Sequence, residues 1–357
     1  MAARVLITGA GTGGSNNLVR SLRAGDPSLV IVGCHDDRFV LKKSAAERNH
    51  LVPSLDHPRF AASLRHVIGV ESINLLIPTT DADVRAVSRL RRRLPCRVFL
   101  PRPSIIALCH DKYRLTVFLR GRGIPAPLTY PVRDLAGLGA AFARLGQAGP
   151  VWCRVRTGTG SIGAIQVRSP EQARSWIRCW RDLQGLSPRS FTLSEYLPGR
   201  DFACQSLWQD GRLILIKTCE RLSYFGGESH PSGRSSIAAL ARTGHEPAVV
   251  DVCTRAVRAL DARASGAFSL DLKADVRGVP NVTEVNIGRL LTGTNIFDLA
   301  GKRNMAVTYV RLALGEPVEF ADEYDAVEDY YMLRDLDTLP GIFHASEFFE
   351  GIEDARR

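Results

Sequence analysis

No apolar run in the 357 residues approaches the roughly 18 needed to cross a bilayer. The eight cysteines, at 34, 96, 109, 153, 179, 204, 219 and 253, include no Cys-x-x-Cys pair, and no Cys/His cluster has zinc spacing. They read as reduced thiols, several within apolar runs such as Ile31-Val32-Gly33-Cys34. Lysine is scarce: six of 47 basic residues, at 42, 43, 112, 217, 273 and 302. There is no internal repeat, no low-complexity tail and no interleaving of aromatic with basic residues. The net charge of +10 therefore does not point to nucleic acid, and it suits an anionic ligand equally well. The densest basic run, Arg91-Arg92-Arg93, closes an amphipathic stretch (Val84, Val87, Leu90), where it complements a helix dipole. The start, Met1 to Gly9, is too short and too soon glycine-rich for a secretory core. A soluble cytoplasmic protein is expected, with neither membrane nor nucleic acid as partner.

What is present fits a globular chain: 45% hydrophobic, 24% charged, and long enough for two or three domains at about 150 residues each. The first hundred residues alternate strand and helix. Strands are expected at 4–8, 29–34, 73–78 and 97–100, with helices at 15–22, 60–68 and 82–90. This α/β pattern predicts a doubly wound parallel sheet, with ligands beyond the carboxyl ends of its strands. A helix over 110–122 follows, then one over 135–145 capped by Asp134. Strands at 151–155 and 164–167 flank a glycine-rich turn, and a helix covers 171–183. Strands dominate 191–219, with a hairpin at Asp210-Gly211. Residues 224–234 read as a Gly/Ser/Pro-rich loop. A helix over 248–260, strands at 267–273 and 279–285, and a helix over 304–314 complete the pattern.

Three groups of residues carry chemistry. Gly9-x-Gly11-x-x-Gly14 follows a strand and opens a helix, with Asp36 or Asp37 beyond it. That is the context of a dinucleotide fingerprint, and it opens the reading of an NAD(P)-dependent oxidoreductase. A glycine turn with no nucleotide is the simpler alternative. The second group, Thr157-Gly158-Thr159-Gly160-Ser161-Ile162-Gly163, sits between strands and lacks the ending of a P-loop. Such a loop can fold over phosphates and donate backbone N–H groups, with Lys112, Arg154 and Arg156 nearby as cations. The third group is Asp271 on one strand with Glu284 and Asn286, two apart, on the next. Oxygen ligands converging from adjacent strands suit Mg²⁺ held together with substrate phosphates. Thr79, Thr80 and Asp81 end another strand, and His35 and His230 are proton-transfer candidates by location alone.

The order of Lys112, Arg154, the glycine loop, Glu195-Tyr196-Leu197-Pro198-Gly199-Arg200-Asp201, Asp271 and Glu284-Val285-Asn286 resembles the ATP-grasp superfamily, in particular its carbamoyl-phosphate-synthase-like ligases. The resemblance covers nearly the whole chain. It implies a Rossmann-like pre-ATP-grasp domain (1–105), an N-lobe with a phosphate lid (106–190) and a C-lobe with the metal site (191–357), α+β in the two clasping lobes. It implies that Lys112 and Arg154 touch the ATP phosphates. Thr157, Gly158, Thr159, Gly160, Ser161 and Gly163 would form the lid. Glu195, Tyr196 and Leu197 would meet adenine at the hinge, with Asp201 near the ribose. Asp271, Glu284 and Asn286 would hold Mg²⁺, with Mn²⁺ as a substitute. The implied activity couples a small-molecule carboxylate to an amine through an acyl phosphate, releasing ADP and phosphate. Specialised-metabolite biosynthesis is one setting for it, and a homodimer is the form of many relatives. Arg234 and Arg289 are the candidates to hold the acid or the acyl phosphate. Arg289 stands one residue later than in the family's usual Glu-x-Asn-x-Arg, so the resemblance alone leaves its reach open. A protein that binds ATP without turnover is the remaining alternative.

Overall fold

The computed structural model describes residues 2–146, 149–158, 160–226, 237–291, 293–335 and 338–352. Strands β1 (Arg4–Thr8), β2 (Val30–His35), β3 (Arg48–Leu51) and β4 (Leu75–Ile77) form a parallel sheet in the order β3-β2-β1-β4. Helices α1 (Gly13–Gly25), α2 (Arg38–Leu41), α3 (Phe60–Val70) and α4 (Asp81–Leu90) connect and flank these strands. Val5, Leu6, Ile7, Leu75 and Leu76 are fully buried, as a sheet covered on both faces requires. Helix α4 starts on a capping box: Thr80 accepts from the Asp83 N–H and the Asp83 carboxylate accepts from the Thr80 N–H.

The expected strand at 97–100 is reduced to a single parallel bridge between Arg97 and Leu75. Pro101 and Pro103 follow at once, and proline has no N–H to extend a ladder. The helix expected over 110–122 is two helices, α5 (Pro103–Cys109) and α6 (Lys112–Arg120), because Asp111 leaves the helical conformation and caps α6, accepting from the Arg114 N–H at 3.1 Å.

The middle of the chain builds a small antiparallel sheet. Strands β5 (Thr129–Pro131), β6 (Val151–Val155), β7 (Ile165–Val167) and β8 (Phe191–Glu195) run in the order β5-β8-β6-β7, with α7 (Leu138–Leu145) and α8 (Pro170–Gln184) beside it. This layer has its own core, including Cys153, Ile177, Phe191 and Leu193. Asp134 does not cap α7. It accepts from the Gly137 N–H at 2.8 Å in the turn before the helix.

The third sheet is the largest. Strands β9 (Asp201–Gln209), β10 (Arg212–Tyr224), β11 (Ala238–Thr243), β12 (Gly266–Ala274), β13 (Pro280–Ile287), β14 (Tyr330–Leu333) and β15 (Gly341–His344) are ordered β13-β12-β9-β10-β11-β14-β15. Helix α9 (Pro247–Leu260) shares a core with β12, β13 and one face of the parallel sheet. Helix α11 (Met305–Leu314) packs with α1 against the other face. The short α10 (Thr294–Leu299) lies between them. The parallel sheet and the largest sheet are thus joined by two apolar cores. Among the described residues no helix is long and apolar enough to cross a membrane.

Two positions test this packing. Gly11 has φ +87°, and a Cβ there would stand 1.9 Å from the Val40 carbonyl oxygen. Gly160 also has a positive φ, +74°, but open space around it. Gly11→Ala is expected to cost about 2 kcal/mol or more, and Gly160→Ala clearly less, measured by thermal unfolding. Lys217 on β10 is 2% exposed and ion-pairs with Asp325 at 3.1 Å and Asp298 at 3.5 Å. Removing one partner strands buried charge, so Lys217→Met should destabilise by roughly 3–5 kcal/mol in denaturant unfolding. A loss smaller than about 1 kcal/mol would contradict a folding role for this cluster.

Candidate functional site

Strands β12 and β13 pair antiparallel, and Asp271 stands directly opposite Glu284. The register shifts just beyond this pair, leaving Thr283 as the extra residue of a bulge. Glu284 and Asn286, two apart, therefore share the face that carries Asp271. Opposed carboxylates repel, and the surrounding cations answer that repulsion. Lys112, at the start of α6, reaches Glu284 at 3.1 Å and donates to the Gly158 carbonyl at 2.6 Å. Arg221 on β10 binds Asp271 at 2.5 Å and Asp201 at 3.4 Å. Asn286 donates to Asp271 at 3.0 Å. Burial and the Glu284 charge push the Asp271 carboxyl up, against the opposing pull of Arg221.

Arg154, on β6, approaches from the small sheet. It is 8% exposed and donates to the Thr283 carbonyl at 2.8 Å. Its Nε is buried with no partner among the described residues. Burial pulls its basicity down, while Glu284 and Asp271 oppose that. A buried guanidinium with donor capacity to spare is suited to an anion. Arg156 points elsewhere, in a two-bond pair with Asp111 at 2.8 and 2.6 Å.

Arg289 does reach the cluster. Gly288 adopts φ +76°, so the chain turns after β13 and absorbs the extra residue. The Arg289 guanidinium donates to Asn286 and to Asp81, each at 2.5 Å. Asp81, at the start of α4, thereby ties the parallel sheet to the carboxylate face. Thr79 instead donates to the Thr8 carbonyl at 2.7 Å, closing the strand end.

These groups line one cavity of about 870 Å³ between the small sheet and the largest one. Gly158, Gly160 and Ser161 border it. Gly158 and Gly160 have φ +122° and +74° with no atom near a would-be Cβ, so conformation and not crowding demands glycine there. Thr157 is exposed and Gly163 is held away by the Trp176 indole N–H at 2.9 Å; neither borders the cavity. Glu195, Tyr196, Leu197 and Asp201 also line it. The Glu195 carboxylate accepts from the Leu128 N–H at 3.2 Å, and the Glu195 N–H donates to the Leu128 carbonyl at 2.8 Å. Thr159, Arg234 and His230 lie outside the described residues. His35 bonds its neighbours Asp36 and Asp37 away from the cluster.

The Gly9–Gly14 turn opens onto the same cavity, through Gly11 to Gly14. Its first two glycines are explained by packing: a Cβ on Gly9 would meet Thr79 Oγ1 at 2.6 Å, and one on Gly11 the Val40 carbonyl. Sequence reading missed Arg221, Lys273 and Arg334, all on the cavity wall. For Arg221 the hairpin pattern gives only a near miss. Counting outward from the Asp210-Gly211 hairpin places Glu220 opposite Asp201, and a bulge at Ile214 moves the pairing by one to Arg221.

Among the described residues no three His, Cys, Asp or Glu groups converge as a metal site. The candidate set is two carboxylates and an amide, all hard oxygen donors. That chemistry fits Mg²⁺ whose other ligands come from a phosphate and water, and not a closed all-protein cage.

No protein-family model matches the chain, and no curated protein matches it by sequence. Solved structures do match in fold. The L-amino acid ligase from Bacillus licheniformis is 15% identical, with 92% of this chain and 78% of that one covered at a TM-score of 0.69. The biotin carboxylase domain of Hydrogenobacter thermophilus 2-oxoglutarate carboxylase, solved with MgADP and bicarbonate, is 15% identical over 93% and 74% at 0.71. N5-carboxyaminoimidazole ribonucleotide synthetase from Thermus thermophilus is 17% identical over 92% and 82% at 0.66. The architecture of these enzymes extends over nearly the whole chain, which has the ATP-grasp fold.

Proposed function

We propose that the chain is an ATP-dependent ligase that activates a carboxylate as an acyl phosphate and passes it to an amine. The observation that carries this reading is the Asp271–Glu284–Asn286 face meeting Lys112, Arg154 and Arg289 in one cavity beneath a glycine loop. The fold shared with ligases and carboxylases supports it.

Lys112 and Arg154 would bind the phosphates, releasing Lys112 from Glu284 and giving the orphaned Arg154 Nε an acceptor. Asp271, Glu284 and Asn286 would hold Mg²⁺, which when bound neutralises and orients the transferring phosphoryl group. The N–H groups around Gly158, Gly160 and Ser161 would cover the phosphates and exclude water from the acyl phosphate. Tyr196 and Leu197 would meet the base, and Asp201 the ribose. Arg289, oriented by Asp81, would stand beside the transferred group. A bare carboxylate resists attack because its leaving group would be oxide; phosphorylation supplies a good leaving group. The oxidoreductase reading leaves the carboxylate face unexplained, and the presence of the whole candidate phosphate and metal set argues against ATP binding without turnover.

ADP release with Mg²⁺, ATP, an acid panel and an amine panel measures the activity. Glu284→Gln combined with Asn286→Ala should lower turnover at least about a thousandfold, with the folded state retained by circular dichroism. Product formation at the wild-type rate in that variant would overturn the metal assignment.

A further inference from the structure

We propose that the acid taken by this chain carries a bulky apolar substituent, seated in a trough of small side chains that begins one strand away from the Asp271–Glu284 pair. This deepens the ligase reading and rests on it.

Register across the largest sheet defines the trough. One row of facing residues runs Glu284, Asp271, Ala203, Cys219 across β13, β12, β9 and β10. The next runs Lys273, Asp201, Arg221, Ala241, Met332 across β12, β9, β10, β11 and β14. In both rows charge stops partway. Ala203 and Cys219 follow the carboxylates, and Ala241 and Met332 follow Arg221. All four line the cavity, and none is more than 4% exposed. Alanine and cysteine are short, so the sheet face is low there. Leu291 and the α10 residues Ile296 and Phe297 stand beside it, and all seven belong to one apolar cluster. The wall is fixed from behind: Lys217 donates to the Phe297 carbonyl and pairs with Asp298.

Neighbouring strands lie about 4.8 Å apart. Ala203 is thus one strand from Asp271 and Cys219 two. A carboxylate positioned to attack a phosphate above the Asp271–Glu284 pair would lay its substituent over this floor. An apolar group there displaces water that the floor cannot hydrogen-bond. Over Ala203, Cys219 and Ala241, short of the Arg334 guanidinium that borders the cavity beside Met332, a charged or hydroxylated group would lose its hydration without replacement.

Hydroxylamine trapping reads the activation step without knowledge of the natural amine. A carboxylate oxygen attacks the γ-phosphorus; the bond from phosphorus to the β–γ bridging oxygen breaks with its electron pair, and ADP leaves. The hydroxylamine nitrogen then attacks the acyl carbon, the acyl carbon–oxygen bond breaks toward phosphate, and the nitrogen's proton passes to solvent. The full chain with Mg·ATP would be given 4-methylpentanoate, 3-phenylpropanoate, succinate and glycolate as probes. The two apolar acids should give hydroxamate with kcat/KM at least about tenfold above the other two. Ala241→Phe, which fills the trough, should lower kcat/KM for both apolar acids at least about tenfold. Phe297→Ala opens the wall instead, and should favour 3-phenylpropanoate over 4-methylpentanoate relative to wild type; it covers the case in which Ala241→Phe does not fold. Succinate or glycolate used as well as the apolar acids, with ADP still released, would overturn the trough and leave the ligase reading standing. No hydroxamate from any of the four, together with no Mg·ATP binding by calorimetry, would overturn the ligase reading and the trough with it.

Discussion

Asp271 and Glu284 face each other across adjacent strands, partly withdrawn from water. Two carboxylates so placed are unstable alone, and the layout around them supplies compensation from every side. Arg221 comes from the neighbouring hairpin, Lys112 from the start of α6, Arg154 from the small sheet, and Arg289 from the turn after β13. Four separate parts of the chain must therefore fold together before this face is tolerable. The same arrangement leaves cations and hard oxygens pointing into one cavity, as a metal-bound polyanion requires.

The scaffold holds those parts at fixed distances. The parallel sheet and the largest sheet share two apolar cores, and the Asp81–Arg289 pair links their polar ends. Lys217 with Asp298 and Asp325 anchors α10 behind the cavity wall. The small sheet keeps a core of its own. It meets the carboxylate face through Arg154, and Lys112 of α6 bridges its Gly158 carbonyl to Glu284.

The elements that sequence reading placed best have a strong period or a strong turn. Strand β1, helices α8 and α11, the Asp210-Gly211 hairpin and the two carboxylate-bearing strands all emerged from local patterns. The ligand candidates Asp271, Glu284 and Asn286 were legible because they interrupt apolar strands. What was not legible depends on register and distance. The bulge in β10 hides the Asp201–Arg221 pairing. The Asp81–Arg289 contact joins residues 208 positions apart. The Gly9–Gly14 turn looked like a cofactor motif because tight packing against Thr79 and Val40 demands the same glycines. Strands β11, β14 and β15 extend the largest sheet on the side that ends at β15, where neighbours and not periodicity decide pairing.

The central claim is that this cavity binds a nucleotide through its phosphates with Mg²⁺. Thermal unfolding of the wild-type chain with ATP or ADP, each with and without Mg²⁺, and with NAD or NADP, tests it directly. A ligand at about 100 times its Kd adds roughly 2.7 kcal/mol to the folded state, a shift of several degrees. The account predicts that shift for the adenine nucleotides, dependent on Mg²⁺, and none for NAD or NADP. Stabilisation by NAD or NADP with no response to Mg·ATP would contradict it.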